Sequence, residues 1–483
     1  MEHSLIIGKY TLESLTNGMY SSPLDMYREY IQNAVDAFDE AVEKDIVYAD
    51  KLKIEISIYN ELNKVCIRDN GVGISETKAV STLLDIGNSQ KSSSNYRGFR
   101  GIGRLAGLGY CKKLTFKTSC AGEAVCTIVE FDAELLNKLL LPGNTDSISV
   151  NDVIEEIVVV KKFQESANKR YFEVTLEDVR SEDGLMEGSA VREYLIQHVP
   201  MSFDPRFKWQ RTILEKVRLE GYQIPQYHLW LNGQELFKPY LDYFTSDRVK
   251  KNEDKIQDIE VKTFHRNRTV SAIIWYAKSN YYGTITDNTI KGIRIRQGNI
   301  LLGDKSSFSQ FFKEERFNGW MIGELHVLDK ELIANSRRDG FEKNKAFYEL
   351  SELLKEWSMN ESKEIRHVSY ERSLSTEKKV IVEADSFEDV NDLCSEFLDY
   401  DDYSEGTLLD QSESEEMAET DYIGKLSLLI NQKKVQTKYR ALNINDKLTV
   451  EQRKVLERVF DVISKEYSPK KANDIINRIA NGF

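Results

Sequence analysis

Apolar residues recur at helical spacing between Met26 and Ala41, where Tyr30, Ala34, Ala37 and Ala41 share a face and no Gly or Pro intervenes. One uninterrupted helix is predicted there. The pattern then shortens to strict alternation: Leu52, Ile54, Ile56 and Ile58 are separated by polar residues, and after a polar turn come Val65, Cys66 and Ile67. Two strands joined as a hairpin are predicted, the second running into a glycine-rich turn from Asp69 to Gly73. A polar stretch from Asn88 to Arg97 leads to another glycine cluster ending at Gly103, with a short apolar helix and the strand Leu114 to Thr118 beyond it.

Apolar alternation resumes around Ile273 to Tyr276 and Ile293 to Ile300, flanked by helical stretches, which points to a second α/β domain. Near the end, Thr449 and Gln452 fit a capping box ahead of the stripe Val455, Leu456, Val459, Phe460 and Ile463, and Pro469 and Gly482 bracket a last helix. The expected division is a first domain over residues 1–195, a second over 196–380, a linker over 381–424 and a small helical module over 425–483. The fold class expected is α/β, an α+β sandwich in its first part.

Composition sharpens this in three places. A chain of 483 residues exceeds one compact core, so two or three domains are expected. The formal charge of −13 is misleading, because residues 381–424 hold sixteen Asp or Glu and no Lys or Arg; without them the remainder carries +3. Global acidity therefore does not exclude a nucleic-acid partner for the folded part. The linker's Phe397, Tyr400 and Tyr403 suit a docking peptide. Five cysteines without a CxxC pair suggest reduced thiols rather than a disulfide framework or zinc site. No long uncharged apolar run or basic-then-apolar leader is evident, so no membrane span and a cytoplasmic location are expected.

Three local signals carry candidate chemistry. Glu29, Asn33 and Asp36 stack on one helical face, being spaced four and three residues apart. Asp69, Gly71 and Gly73 end a strand, where a carboxylate can accept a hydrogen bond from an exocyclic amine and bare backbone can approach a flat ring. Gly98, Gly101 and Gly103 precede a helix, where backbone N–H groups favour phosphate oxygens. No GK[ST] tripeptide occurs, so a Walker-type phosphate loop is absent. Each signal alone has an ordinary structural explanation; their order and spacing together do not.

Taken together, REYIQNAVDA, IRDNGVGI and GFRGIG resemble the N box, the adenine-binding box and the lid-associated box of the GHKL ATPases, the superfamily of gyrase, heat-shock-90-type chaperones, histidine kinases and MutL. The likeness is greater to the chaperone and MORC branches. It implies a Bergerat-type ATP-binding domain followed by a transducer-like middle domain, with ATP and Mg2+ as cofactors. By that resemblance Asn33 holds the magnesium ion, Asp69 reads the adenine amine, Glu29 orients and deprotonates the attacking water, and Asp36 supports the nucleotide or the helix. Gly71 and Gly73 lie beside the base, Gly98, Gly101 and Gly103 wrap the phosphates, and Ser89 and Lys91 belong to a closing lid. GELHVLD at 323–329 and NSRRD at 335–339 are similar to the chaperone middle domain, where an arginine reaches the γ-phosphate. Two arginines, Arg337 and Arg338, compete for that part.

The function implied is Mg2+-dependent ATP hydrolysis driving a chaperone-like conformational machine with nucleotide-dependent homodimers. Alternatives are a MORC- or MutL-like clamp on nucleic acid, suggested by Arg206, Lys208, Arg211, Lys216 and Arg218, and the ATPase module of a defence or signalling system.

Overall fold

The computed structural model describes residues 9, 11–12, 20, 22–43, 52–85, 103–141, 149–246, 253–335, 337–383 and 459. The chain divides into two compact units, Met1–Val382 and Glu383–Phe483. Apart from residues 381–383 and Val459, the acidic linker and the helices expected near the C-terminus lie outside the described residues, as do Ser89, Lys91, Gly98 and Gly101.

The periodic segment at Met26 to Ala41 lies within helix α1 (Asp25–Glu43), followed by strands β1 (Lys53–Tyr59) and β2 (Lys64–Asp69), paired antiparallel. Helix α2 (Glu76–Leu84), a 3-10 segment (Gly103–Gly109), strands β3 (Lys113–Ser119) and β4 (Val125–Asp132), helices α3 (Ala133–Leu140) and α4 (Val150–Ile157), strands β5 (Val158–Gln164) and β6 (Tyr171–Glu177), and helix α5 (Gly188–His198) follow. After α6 (Gln210–Leu219), strands β7 (His228–Leu231) and β8 (Gln234–Leu236) complete an eight-stranded sheet in the order β5-β4-β3-β6-β2-β1-β7-β8. The sheet thus draws on both sides of residue 195, β7 lying parallel to β1.

Alternation explains why this sheet has one covered face. Ile54, Ile56, Val65, Ile67, Leu114, Phe116, Val174 and Leu176 point inward and pack with Tyr27, Ile31, Ala34 and Phe38 of α1 in one core. On the intervening positions Arg68 pairs with Glu173 at 3.0 Å and its guanidinium lies over the Tyr171 ring. The result is a two-layer α/β sandwich.

Small strands β9 (Tyr243–Thr245) and β10 (Glu253–Lys255) precede a second sheet of β11 (Asp258–Arg266), β12 (Thr269–Lys278), β13 (Gly292–Gln297), β14 (Ile300–Leu301) and β15 (Ile322–Val327), ordered β11-β12-β15-β13-β14. The long helix α7 (Lys345–Glu383) follows. Here both faces are covered. Ile274, Tyr276 and Leu325 pack with Leu350, Leu354 and Trp357 of α7, while Ile273, Trp275 and Ala277 pack with Ile213 and Val217 of α6. Double coverage is why β12 reads as the nearly continuous apolar run SAIIWYA.

At the centre of this second sheet Glu324 is fully buried and accepts hydrogen bonds from Lys238 Nζ at 2.7 and 2.9 Å, Tyr240 Oη at 3.1 Å and Trp275 Nε1 at 3.3 Å. Arg296 Nε donates to the same carboxylate, and Arg296 Nη2 donates to the Gln197 carbonyl of α5 at 2.9 Å. Burial alone would push the Glu324 carboxyl up; the Arg296 and Lys238 cations overcome that and hold it well below its ordinary value. Glu324→Ala would leave two buried cations without a counter-charge, so it is expected to cost about 3–5 kcal/mol of unfolding free energy in a denaturant titration. A midpoint unchanged from wild type would contradict the buried hub.

Candidate active site

The site is assembled on α1. Asp25 stands at its first turn, accepting from the Ser22 amide at 3.2 Å and from Tyr194 Oη at 2.7 Å. One turn on, Arg28 lies 3.1 Å from Asp25 and 3.5 Å from Glu29, so the Glu29 carboxylate is flanked by charge from its own helix. Glu29 and Asp36 are buried, while Asn33 between them is partly exposed. Gln32 shares this side of the helix and is also buried; among the described residues neither atom of its amide has a hydrogen-bond partner, nor has Arg28 Nε.

Gly103 sits against this helix for a steric reason. A Cβ built there would come within 2.3 Å of Glu29 Oε2. Tyr30 reinforces the contact, its hydroxyl donating to the Arg104 carbonyl at 3.1 Å and accepting from the Gly107 amide at 2.9 Å. The glycine segment and the acid are thereby fixed against each other.

Asp69 closes β2 with its side chain on the covered face and only 3% of its surface exposed. Its Oδ1 accepts from the Gly71 amide at 2.8 Å. Burial pushes the Asp69 carboxyl up to about 7, against the opposing pull of the Gly71 amide, Arg68, the Phe172 backbone and Arg170. The two glycines are required by the protein's own packing as well as by any approaching ring. A Cβ on Gly71 would meet Ala37 Cβ at 3.0 Å and Phe38 Cδ1 at 3.2 Å. Gly73 has φ of +68°, and a Cβ there would meet the Ser119 carbonyl oxygen at 2.0 Å.

Sequence reading missed three residues that share this end of the sheet. Register sets Asp69 opposite Phe172 and Phe172 opposite Thr118, a single row across β2, β6 and β3. The Thr118 hydroxyl accepts from the Ile74 amide at 2.8 Å and donates to the Tyr171 carbonyl at 3.1 Å, pinning the chain after the glycine turn. Phe172 stacks on Phe116. Arg170, two residues before Phe172, donates from Nη1 to the carbonyls of Asn70 at 2.8 Å and Gly71 at 3.3 Å. No local motif marks these positions; only the strand register does.

The loop that follows the second sheet's last strand supplies the last piece. The loop after β15 is closed by Asn335 N donating to the Gly340 carbonyl at 3.0 Å and Asp339 N donating to Asn335 Oδ1 at 3.2 Å. Within it Arg338 adopts φ of 57°, its carbonyl accepting from the Gly303 amide at 2.8 Å. This conformation brings Arg338 Nε to 3.3 Å from Glu29 Oε1. Arg337 is exposed. Geometry therefore separates the two arginines that sequence left equal.

Those positions, from α1 through the Asp69 turn to Gly103, sit inside a family match. Residues 22–156 match the model for "Histidine kinase-, DNA gyrase B-, and HSP90-like ATPase". They form a GHKL-type ATPase domain. The chain is also similar to the chaperone protein HtpG of Acinetobacter baylyi, 31% identical over 129 residues, covering 23% of this chain and 20% of that protein. HtpG of Shewanella frigidimarina is 27% identical over 176 residues, covering 33% of this chain and 27% of the relative. The chain thus spans about a fifth to a quarter of the length of these curated relatives.

Among the described residues no three His, Cys, Asp or Glu gather as a metal cage. A magnesium ion beside the GHKL helix would fit a different donor set: the partly exposed Asn33 amide oxygen together with phosphate oxygens and water, the hard ligands this cation prefers. Cys66, Cys111 and Cys126 are free thiols. Of the basic residues that suggested nucleic acid, Arg206 pairs with Asp204, Lys208 with Asp242, and Lys216 with Asp258 and the Ile259 carbonyl. No helix among the described residues is long and apolar enough to cross a membrane.

Proposed function

We propose that this chain is a Mg2+-dependent ATPase acting as a chaperone-like conformational machine. The observation that carries the reading is Arg338 against Glu29, 3.3 Å apart, because it joins the GHKL domain to the second sheet's domain at the group best placed to activate water. Asp69 accepts a hydrogen bond from the adenine amine. Asn33 holds the metal, which neutralises phosphate charge when bound. Glu29 takes the proton of a water whose oxygen attacks the γ-phosphorus, as the bond to the ADP oxygen breaks. Arg338 stabilises the charge developing on the transferred group. A γ-phosphate competes with Glu29 for Arg338, so ATP binding is coupled to the contact between the two domains. Gly98, Gly101 and Gly103 wrap the phosphates, with Ser89 and Lys91 in the closing lid, and ATP favours a homodimer.

Calorimetric titration with ATP in the presence and absence of Mg2+, followed by phosphate-release assay, tests this directly. Mg2+-stimulated binding and slow release of phosphate are expected; neither heat nor phosphate would overturn the reading. Light scattering after size exclusion, with and without a non-hydrolysable analogue, tests the dimer.

The raised carboxyl of Asp69 gives a pH signature with a definite sign. Only the ionised form is a full acceptor for the amine, and its folded value of about 7 means that protonation competes with nucleotide as pH falls. ATP affinity should therefore rise between pH 6 and 8 and level off above. Asp69→Asn, which presents the amine with no anionic acceptor, should bind ATP about 10- to 100-fold more weakly at pH 8 and lose that pH dependence. Equal affinity of the two proteins at pH 8 would remove Asp69 from base recognition.

A further inference from the structure

Three buried side chains next to Glu29 have no part in the phosphoryl transfer described above: Asp25 and Arg28 of α1, and Tyr194 of α5. Arg28 carries its charge between two carboxylates, with Nη1 3.1 Å from Asp25 Oδ1 and Nη2 3.5 Å from Glu29 Oε1. The contacts are unequal. The first falls within the usual range of an N–H to oxygen contact and the second beyond it, so Arg28 leans toward Asp25 rather than closing on Glu29. Asp25 is itself fixed, because Tyr194 Oη donates to its Oδ1 at 2.7 Å and the Ser22 amide to its Oδ2 at 3.2 Å. Tyr194 is fixed in turn. Its ring stacks on His198 with centroids 4.0 Å apart, and the neighbouring Gln197 carbonyl accepts from Arg296 of the Glu324 hub at 2.9 Å.

A carboxylate closed on a guanidinium is a poor acceptor for a water proton, because the cation stabilises its anionic form. When a γ-phosphate draws Arg338 away, Arg28 is the cation left, among the described residues, in contact with Glu29. A buried guanidinium needs a counter-charge, and Asp25 supplies it from the other side. We propose that Asp25 and Tyr194 are positioning residues for the reaction: Asp25, oriented by the Tyr194 hydroxyl, keeps the Arg28 guanidinium from pairing fully with Glu29, so that Glu29 Oε1 can take the proton of the attacking water. The proposal rests on the reading of Glu29 as the general base. Neither residue acts on phosphorus; the effect passes through Arg28. Since the last turn of α5 is tied to Arg296, the second sheet reaches the base by this route as well as through Arg338.

Phosphate-release kinetics and ATP calorimetry on the full chain, for wild type, Asp25→Asn, Arg28→Met and the double variant, test the assignment. Asp25→Asn should lower kcat by about 10- to 100-fold while ATP affinity stays within about twofold of wild type, because the released Arg28 closes on the base and leaves Asp69 untouched. Adding Arg28→Met to Asp25→Asn should restore most of the lost kcat. A residue that merely holds α1 in place would instead lose more when its partner is removed as well. Tyr194→Phe should lower kcat by less, and Arg28→Met should cancel that loss too. If Asp25→Asn does not fold, Tyr194→Phe with and without Arg28→Met is judged by the same rescue. A wild-type kcat in Asp25→Asn, with Glu29→Gln still slow, overturns the proposal alone. So does a loss that the double variant keeps or deepens, or one matched by an equal loss of ATP affinity. Wild-type turnover in Glu29→Gln, or no phosphate release from the wild type, removes the general base and the proposal with it.

Discussion

Glu29→Ala is expected to slow ATP turnover by about 10²- to 10⁴-fold, the usual scale for loss of a positioned general base, while ATP still binds. The expectation follows from placement. The carboxylate is buried, lies 3.5 Å from Arg28 and 3.3 Å from Arg338, and faces Gly103, where a Cβ would come within 2.3 Å of its Oε2. Adenine recognition depends on Asp69, at the end of β2, so the two functions separate: calorimetry should report binding in the variant, and phosphate release should report the loss. Turnover at the wild-type rate would exclude Glu29 as the base. Binding that vanished with turnover would instead show that the variant had disturbed α1, and Glu29→Gln, which keeps the size, distinguishes that outcome.

Arg338→Ala is expected to reduce turnover by about 10³-fold, toward the lower end of what an arginine acting on a transferred phosphoryl group contributes. Arg337→Ala, at the exposed position next to it in the chain, should remain close to wild type. The contrast is the informative measurement, because both variants remove the same charge from the same loop. Equal losses would show that the loop reorganises and that the left-handed conformation of Arg338 does not select it. A full loss in Arg337→Ala with none in Arg338→Ala would reverse the assignment and break the proposed link between the domains.

Legibility of the fold followed periodicity. The helix at Met26 to Ala41 and the hairpin strands were readable because each buries one face, so burial writes a repeat into adjacent residues. Strand β12 was expected from apolar alternation around Ile273 to Tyr276, whereas its residues 271–277 are buried without a break, because coverage on both faces erases alternation. The membership of β7 and β8 in the first sheet carries no local signal, because a parallel pairing of β1 with His228–Leu231 links residues far apart in sequence. The candidate site divides in the same way. Glu29, Asn33 and Asp36 share a helix, and Asp69, Gly71 and Gly73 share a turn, so spacing alone brings each set together.

By itself, the sequence determined the GHKL-type domain, since its motifs are short runs of neighbouring residues. It also determined that two arginines, Arg337 and Arg338, compete for one part. Tertiary structure alone decided which one approaches Glu29, because a positive φ in a loop anchored on Gly303 turns one side chain inward and leaves its neighbour in solvent. It alone brought Thr118, Arg170 and Phe172 to the Asp69 turn, because cross-strand register is set by packing over the whole sheet and leaves no trace in neighbouring residues. Local order fixes which groups are available; long-range pairing fixes which of them meet.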